Sequence, residues 1–106
     1  MAAKVDSEPL DGAELLILES LADGPKHGYL LTSDIKARNG RRVGPGTLYT
    51  ALARLETRGL IRALDAEDRR RPYDLTDEGT RQLAARLREL SRFSTAGLDR
   101  LEARLS

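Results

Sequence analysis

Apolar residues in this chain fall first in a dense cluster, then at helical spacing, then in a short run, then at helical spacing again. Leu15, Leu16, Ile17, Leu18 and Leu21 put apolar groups on nearly every side of a helix predicted from about Asp11 to Ala22. A helix apolar all round is buried on more than one face. In so small a domain, that points to contact with its own core and with a second subunit. Asp23-Gly24-Pro25 ends this helix, because Gly suits a left-handed cap and Pro blocks continuation. A second helix is predicted over about Gly28 to Arg38, anchored by Tyr29, Leu31 and Ile35 and closed by the turn pair Asn39-Gly40. Pro45 fits the first position of a third helix, behind the weak N-cap Gly44. At about 100° per residue, Leu48, Ala51, Leu52 and Leu55 form one apolar arc of that helix. Thr47, Thr50, Arg54 and Thr57 lie on the far side, with Tyr49 and Ala53 flanking.

After Gly59 the period changes. Leu60 to Leu64 is short and apolar enough for a strand, Asp65-Ala66-Glu67-Asp68 is a polar turn, and Arg69 to Leu75 returns as the second strand of a hairpin. Alternation along that strand would point Arg70 and Arg71 opposite ways. Thr76 is a good N-cap, and Asp77 and Glu78 complement the dipole of the helix that follows. That last helix, about Asp77 to Leu105, spans roughly 43 Å at about 1.5 Å per residue. Leu83, Leu87, Leu90, Leu98, Leu101 and Leu105 fall on one narrow seam along it. The seam is longer than a body of this size can cover, so it requires a partner helix. Gly97 is a point where this helix could bend.

The predicted fold is therefore mostly α with a small β-hairpin: a winged helix-turn-helix with a long C-terminal dimerisation helix. Residues 1–10 form a flexible N-terminus, 11–76 the winged domain and 77–106 the dimerisation helix. The seam names Leu83, Leu87, Leu90, Leu98, Leu101 and Leu105 as dimer contacts, and the all-round apolar first helix adds Leu15 and Leu18.

Size and composition narrow the possibilities. A chain of 106 residues makes one small domain, and a domain of this size buries only about two-thirds of its unfolded surface. There is no cysteine, hence no disulfide framework and no thiolate metal site. No apolar run approaches the roughly 20 residues needed to span a bilayer. The N-terminus lacks the apolar core of a signal peptide, so a cytoplasmic location follows by default. The net charge of +1 hides a strong asymmetry. Residues 1–25 carry one lysine and six carboxylates, a net −5; residues 26–62 carry eight Lys/Arg and two carboxylates, a net +6; residues 63–106 balance at nine of each. The basic block coincides with the helix-turn-helix, where phosphate binding would need it.

The outward face of the third helix is small, hydroxylated and basic, where an ordinary solvent face would carry more Glu and Lys. Thr47, Tyr49, Thr50 and Arg54 are the DNA candidates there, joined by backbone N–H groups at Gly46 and Thr47 at the helix N-terminus. The Arg54 fork also matches O6 and N7 of a guanine. Arg69, Arg70 and Arg71 at the hairpin could follow phosphates or enter a narrow minor groove; the bland alternative pairs them with Asp65, Glu67 and Asp68. Lys26, His27 and Tyr29 begin the second helix, which in this motif crosses the backbone. His27 is the only histidine; it caps or packs beside Tyr29 in the first reading, with phosphate contact the second. With no cysteine to join it there is no metal site, and no base–nucleophile pair or glycine-rich phosphate loop supports an enzyme or a cofactor. The competing non-enzymatic reading is a winged-helix protein-interaction module without DNA binding.

HGY at 27–29, GPGTLYTALARLETRGLI at 44–61 and RRRPYDLTDEG at 69–79 occur in this order and spacing. Together they resemble the PadR family of bacterial transcriptional regulators, over about residues 13 to 105. The resemblance implies a homodimer on double-stranded DNA with an inverted-repeat operator. It places the third helix in the major groove, the wing near the minor groove and the C-terminal helix at the dimer contact. The chain is read as a repressor relieved by a small-molecule effector acting through the long seam. Phe93, near that seam, packs in the dimer in the bland reading; in the sharper one, which the resemblance makes plausible, it walls a pocket for a small aromatic effector. The chain looks like the compact branch of the family, with one long C-terminal helix. It departs from the usual pattern at Gly44, where Ser or Thr is usual, and at Thr50, where Pro is frequent. It departs again in the acids of the wing.

Overall fold

In the computed structural model, which describes residues 8–66 and 69–106, four helices and a hairpin follow one another as α1 (Gly12–Ser20), α2 (Gly28–Asn39), α3 (Pro45–Thr57), β1 (Ile61–Ala63), β2 (Tyr73–Leu75) and α4 (Asp77–Leu105). Most of the N-terminus expected to be flexible, and Glu67 and Asp68 of the expected turn, lie outside the described residues.

α1 begins with a reciprocal cap. Asp11 accepts a hydrogen bond from the Glu14 N–H at 2.8 Å, and the Asp11 N–H donates to Glu14 at 3.0 Å. The helix is one turn shorter than its apolar pattern suggests and tightens into a 3₁₀ turn at Leu21–Asp23 before Gly24, whose φ of 141° only glycine adopts readily. α1 packs against α2, α3 and α4, so Ile17, Leu18 and Leu21 become fully enclosed beside Leu31, Ile35, Leu52, Leu55 and Leu60. Each such side chain contributes about 1.5–3 kcal/mol by leaving water. This corrects two of the expected dimer contacts. Leu18 is wholly enclosed and Leu83 is 4% exposed, so both belong to the core of a single chain and are closed to a second one. Leu15 is half-buried at the core margin.

Two polar links tie the helices together. Ser20, buried on α1, donates to Asp34 of α2 at 2.5 Å. Glu14, also buried, pairs at 3.2 Å with Arg58 at the C-cap of α3, and Arg58 further donates to the Glu8 carbonyl. The pair joins the start of α1 to the end of α3.

β1 and β2 run antiparallel with Ile61 opposite Leu75, Arg62 opposite Asp74 and Ala63 opposite Tyr73. The second strand is shorter than expected: Arg69, Arg70 and Arg71 lie before it, in the wing loop. Arg69 adopts a left-handed φ of 67°, which breaks extended geometry, and Pro72 has no N–H to donate to a ladder. The alternation expected for Arg70 and Arg71 therefore does not apply. Across its outer side, Tyr73 exchanges two backbone hydrogen bonds with Lys26, at 3.0 and 2.9 Å, fastening the wing to the loop before α2.

α4 is seated on the winged body by a close joint. Thr76 caps it, accepting from the Gly79 N–H at 3.0 Å while donating to the Gly59 carbonyl at 2.6 Å. A Cβ on Gly79 would lie 1.9 Å from the Leu60 carbonyl oxygen, so only glycine permits this approach. The helix continues unbroken through Gly97, and every residue from 91 onward is exposed. The projection gives a radius of gyration of 16.0 Å, against about 13 Å for a compact domain of this length.

Candidate nucleic-acid interface

Gly44 leads into α3 without a side-chain cap, and Pro45 has no N–H of its own. The helix thus begins with backbone N–H groups of the first turn directed outward and a partial positive charge behind them. Gly46, Thr47 and Thr50 are exposed on this end, and Tyr49 and Arg54 flank them on opposite sides. The apolar arc Leu48, Ala51, Leu52 and Leu55 is buried, which holds the outward face in one orientation.

On the Tyr49 side, three segments distant in sequence converge. His27, Gly28 and Tyr29 at the start of α2, Tyr49 on α3, and Arg69, Arg70, Arg71 and Tyr73 of the wing enclose a cleft of about 310 Å³. His27 stacks beside Tyr29 with ring centroids 6.5 Å apart, as the packing alternative expected; it stands at the N-cap of α2 without a side-chain capping bond. A Cβ on Gly28 would come within 2.8 Å of the Tyr49 hydroxyl, so the ring packs closely over this glycine. The Tyr73 hydroxyl is held above its ordinary pKa of 10.0, first by burial and then by the negative charge of Glu56. Three arginines and three tyrosines lining one cleft suit the phosphates and sugar faces of a nucleic-acid backbone.

On the Arg54 side, Gly46, Thr47, Thr50 and Arg54 share a cleft of about 420 Å³ with Asp11 and Ala13 of α1. Arg54 is therefore exposed on the outward face with a carboxylate 3.7 Å from its guanidinium.

Lys26 departs from its expected role. Its ammonium donates to the Ser20 carbonyl and to Asp23, and its side chain is only 15% exposed. It holds the Asp23 carboxyl below the ordinary value of 3.8. A lysine turned inward to close the 3₁₀ turn is not extended toward phosphate, and it serves as a pin between α1 and the wing. Sequence reasoning also overlooked Asp11 and Glu14, although the spacing of a capping residue and a glutamate three positions later is a readable capping signal. It overlooked Gly28 and Gly79 as well, whose close approaches depend on residues far along the chain.

On α4, Leu87, Leu98, Leu101 and Leu105 are between 41% and 82% exposed, Leu90 is half-buried, and Phe93 is 80% exposed. No helix among the described residues is long and apolar enough to cross a membrane.

Residues 17–85 match the model of the transcriptional regulator PadR-like family. The chain is 42% identical over 80 residues to the transcriptional regulator Rv3488 of Mycobacterium tuberculosis, covering 72% of this chain and 73% of that one. It is 45% identical over 82 residues to an uncharacterized 37.1 kDa protein in transposon TN4556 of Streptomyces fradiae. That match covers 77% of this chain but spans only 24% of the transposon protein's length. Among solved structures, a PadR family transcription regulator from Clostridium difficile superposes with a TM-score of 0.75 at 25% identity, over 81% of this chain and 94% of that one.

Proposed function

The chain belongs to the PadR-like family of transcriptional regulators, with the winged-helix fold of that family and a DNA-binding rather than enzymatic role, and from that premise we propose that it acts as a homodimeric repressor in the cytoplasm. In this reading the outward face of α3 enters the major groove, with Gly46, Thr47, Tyr49, Thr50 and Arg54 meeting DNA. His27 and Tyr29 approach the adjoining backbone, and Arg69, Arg70 and Arg71 follow phosphate beside the minor groove. The observation that carries it is Tyr49 of α3 lining one cleft with the start of α2 and the three wing arginines, on a helix whose uncapped first turn is exposed.

The leucines exposed along α4 support a second copy of the chain as the partner, since four large apolar side chains in water have little reason to stay there. Two copies related by a twofold axis would present two α3 helices to half-sites about 34 Å, or a multiple of that, apart on an inverted repeat. Repression would come from steric blocking of a promoter. Relief would come from a small aromatic effector near Phe93 that changes the angle between the two heads. A ligand that alters neither head spacing nor operator affinity would sink that part.

The test is to select bound duplexes from a random library and titrate the best by fluorescence anisotropy across a salt series. Affinity should fall linearly on a log–log plot with salt, by just under one unit of slope for each phosphate neutralised. Arg54→Ala should bind about tenfold more weakly with an unchanged melting temperature. If no duplex is retained at low salt, the winged domain is a protein-interaction module instead. If Arg54→Ala binds as well as wild type, the outward face is wrongly assigned.

A further inference from the structure

Arg54 Nη1 lies 3.7 Å from Asp11 Oδ2, with both side chains at least half exposed. Asp11 is not a freely swinging surface acid. Its other oxygen accepts from the Glu14 N–H, its own N–H donates back to Glu14, and Glu14 is buried against Arg58. The carboxylate is held in place by that reciprocal cap, while the arginine stem can rotate. The same carboxylate opens onto the cleft that contains Gly46, Thr47 and Thr50. A fixed anion is thus built into the rim of the surface that would meet a polyanion.

Taking Arg54 as a DNA contact, we propose that Asp11 is an affinity-limiting residue for duplex DNA. It neutralises Arg54 in the free protein, so that DNA must draw the guanidinium away from it. The charge pattern repeats the arrangement on a larger scale, with a net −5 over residues 1–25 and +6 over residues 26–62. An exposed pair is weak, so the brake amounts to about two- to fivefold in affinity. It acts on cognate and unrelated duplexes alike, because phosphate is common to both.

Asp11→Asn removes the charge and keeps the cap, since Asn caps a helix as well as Asp does; Asp11→Ser is a second uncharged capping variant. Wild type, these two, Arg54→Ala and Asp11→Asn/Arg54→Ala are titrated by anisotropy against one duplex selected from a random library and one of unrelated sequence. The expected result is that both Asp11 variants bind both duplexes about two- to fivefold more tightly at low salt. Their advantage should close as salt rises, with a log–log slope steeper by just under one. The double variant should match Arg54→Ala. If the Asp11 variants bind no more tightly while Arg54→Ala still weakens binding, the inference is overturned and the role of Arg54 stands. If Asp11→Asn tightens binding equally without Arg54, the coupling between the two is wrong and the inference is overturned in favour of general repulsion. If Arg54→Ala itself has no effect, the reading of Arg54 falls and the inference falls with it.

Discussion

Glu14 and Arg58 are separated by 44 positions, yet their side chains are only 5% and 11% exposed where they meet. A charge so enclosed is tolerable because it is paired and hydrogen-bonded: Glu14 also serves the α1 cap, and Arg58 also donates to the Glu8 carbonyl. Removing one partner strands the other. Arg58→Ala should therefore destabilise the fold by about 3 kcal/mol, measured by urea denaturation, although Arg58 follows directly on the helix proposed to read DNA. A loss below about 0.5 kcal/mol, the range of ordinary surface substitutions, would show that the Glu14 charge is solvated or carried elsewhere. Lys26 teaches the complementary point. Lys26 and the wing residues Arg69, Arg70 and Arg71 look alike as basic candidates in sequence, and only packing distinguishes the one that pins a turn from those that line the outer cleft.

Among the elements, the joint between β1 and α4 governs how the long helix leaves the body. Thr76 links both, bonding to Gly59 on one side and to Gly79 on the other, and the backbone of Leu60 occupies the space a side chain at position 79 would need. Gly79→Ala removes a helix-weakening glycine, worth up to about 1 kcal/mol in an isolated helix. Here the methyl would meet a backbone carbonyl that cannot rotate away. The steric effect wins, and the variant should lose about 2–3 kcal/mol while the helicity of α4, followed by circular dichroism, persists. A more stable Gly79→Ala would mean that α4 stands farther from β1 than this geometry has it. The wing shows the same dependence on contact: its second strand is only Tyr73 to Leu75, and the outer edge of that strand is held by Lys26 rather than by a longer hairpin.

For the whole molecule, the decisive feature is that α4 outruns its own core. The apolar seam divides into Leu83, which completes the protomer, half-buried Leu90, and Leu87, Leu98, Leu101 and Leu105, which face outward. Leu101→Asp should leave the winged body folded, because that residue touches none of the core, yet yield a monomer in sedimentation and abolish tight operator binding. A Leu101→Asp protein that remains dimeric would move the interface elsewhere. Leu83→Asp, by contrast, should unfold the body itself, so the two variants separate dimer from core.

Element type and order, down to the Pro45 start of α3, the Thr76 cap and the span Asp77–Leu105, followed from the sequence alone, because each rests on local periodicity and capping chemistry within a few residues. So did the outward character of Thr47, Thr50 and Arg54, since four buried leucine and alanine positions determine the opposite face. Tertiary structure alone decided the rest. Whether Leu18 and Leu83 face a neighbour or the interior depends on how many helices crowd around them. Whether Lys26 or an arginine reaches outward depends on which carbonyl lies within range. That Asp11 stands beside Arg54 depends on two helix ends, more than forty residues apart in the chain, being brought together by a core that neither residue enters.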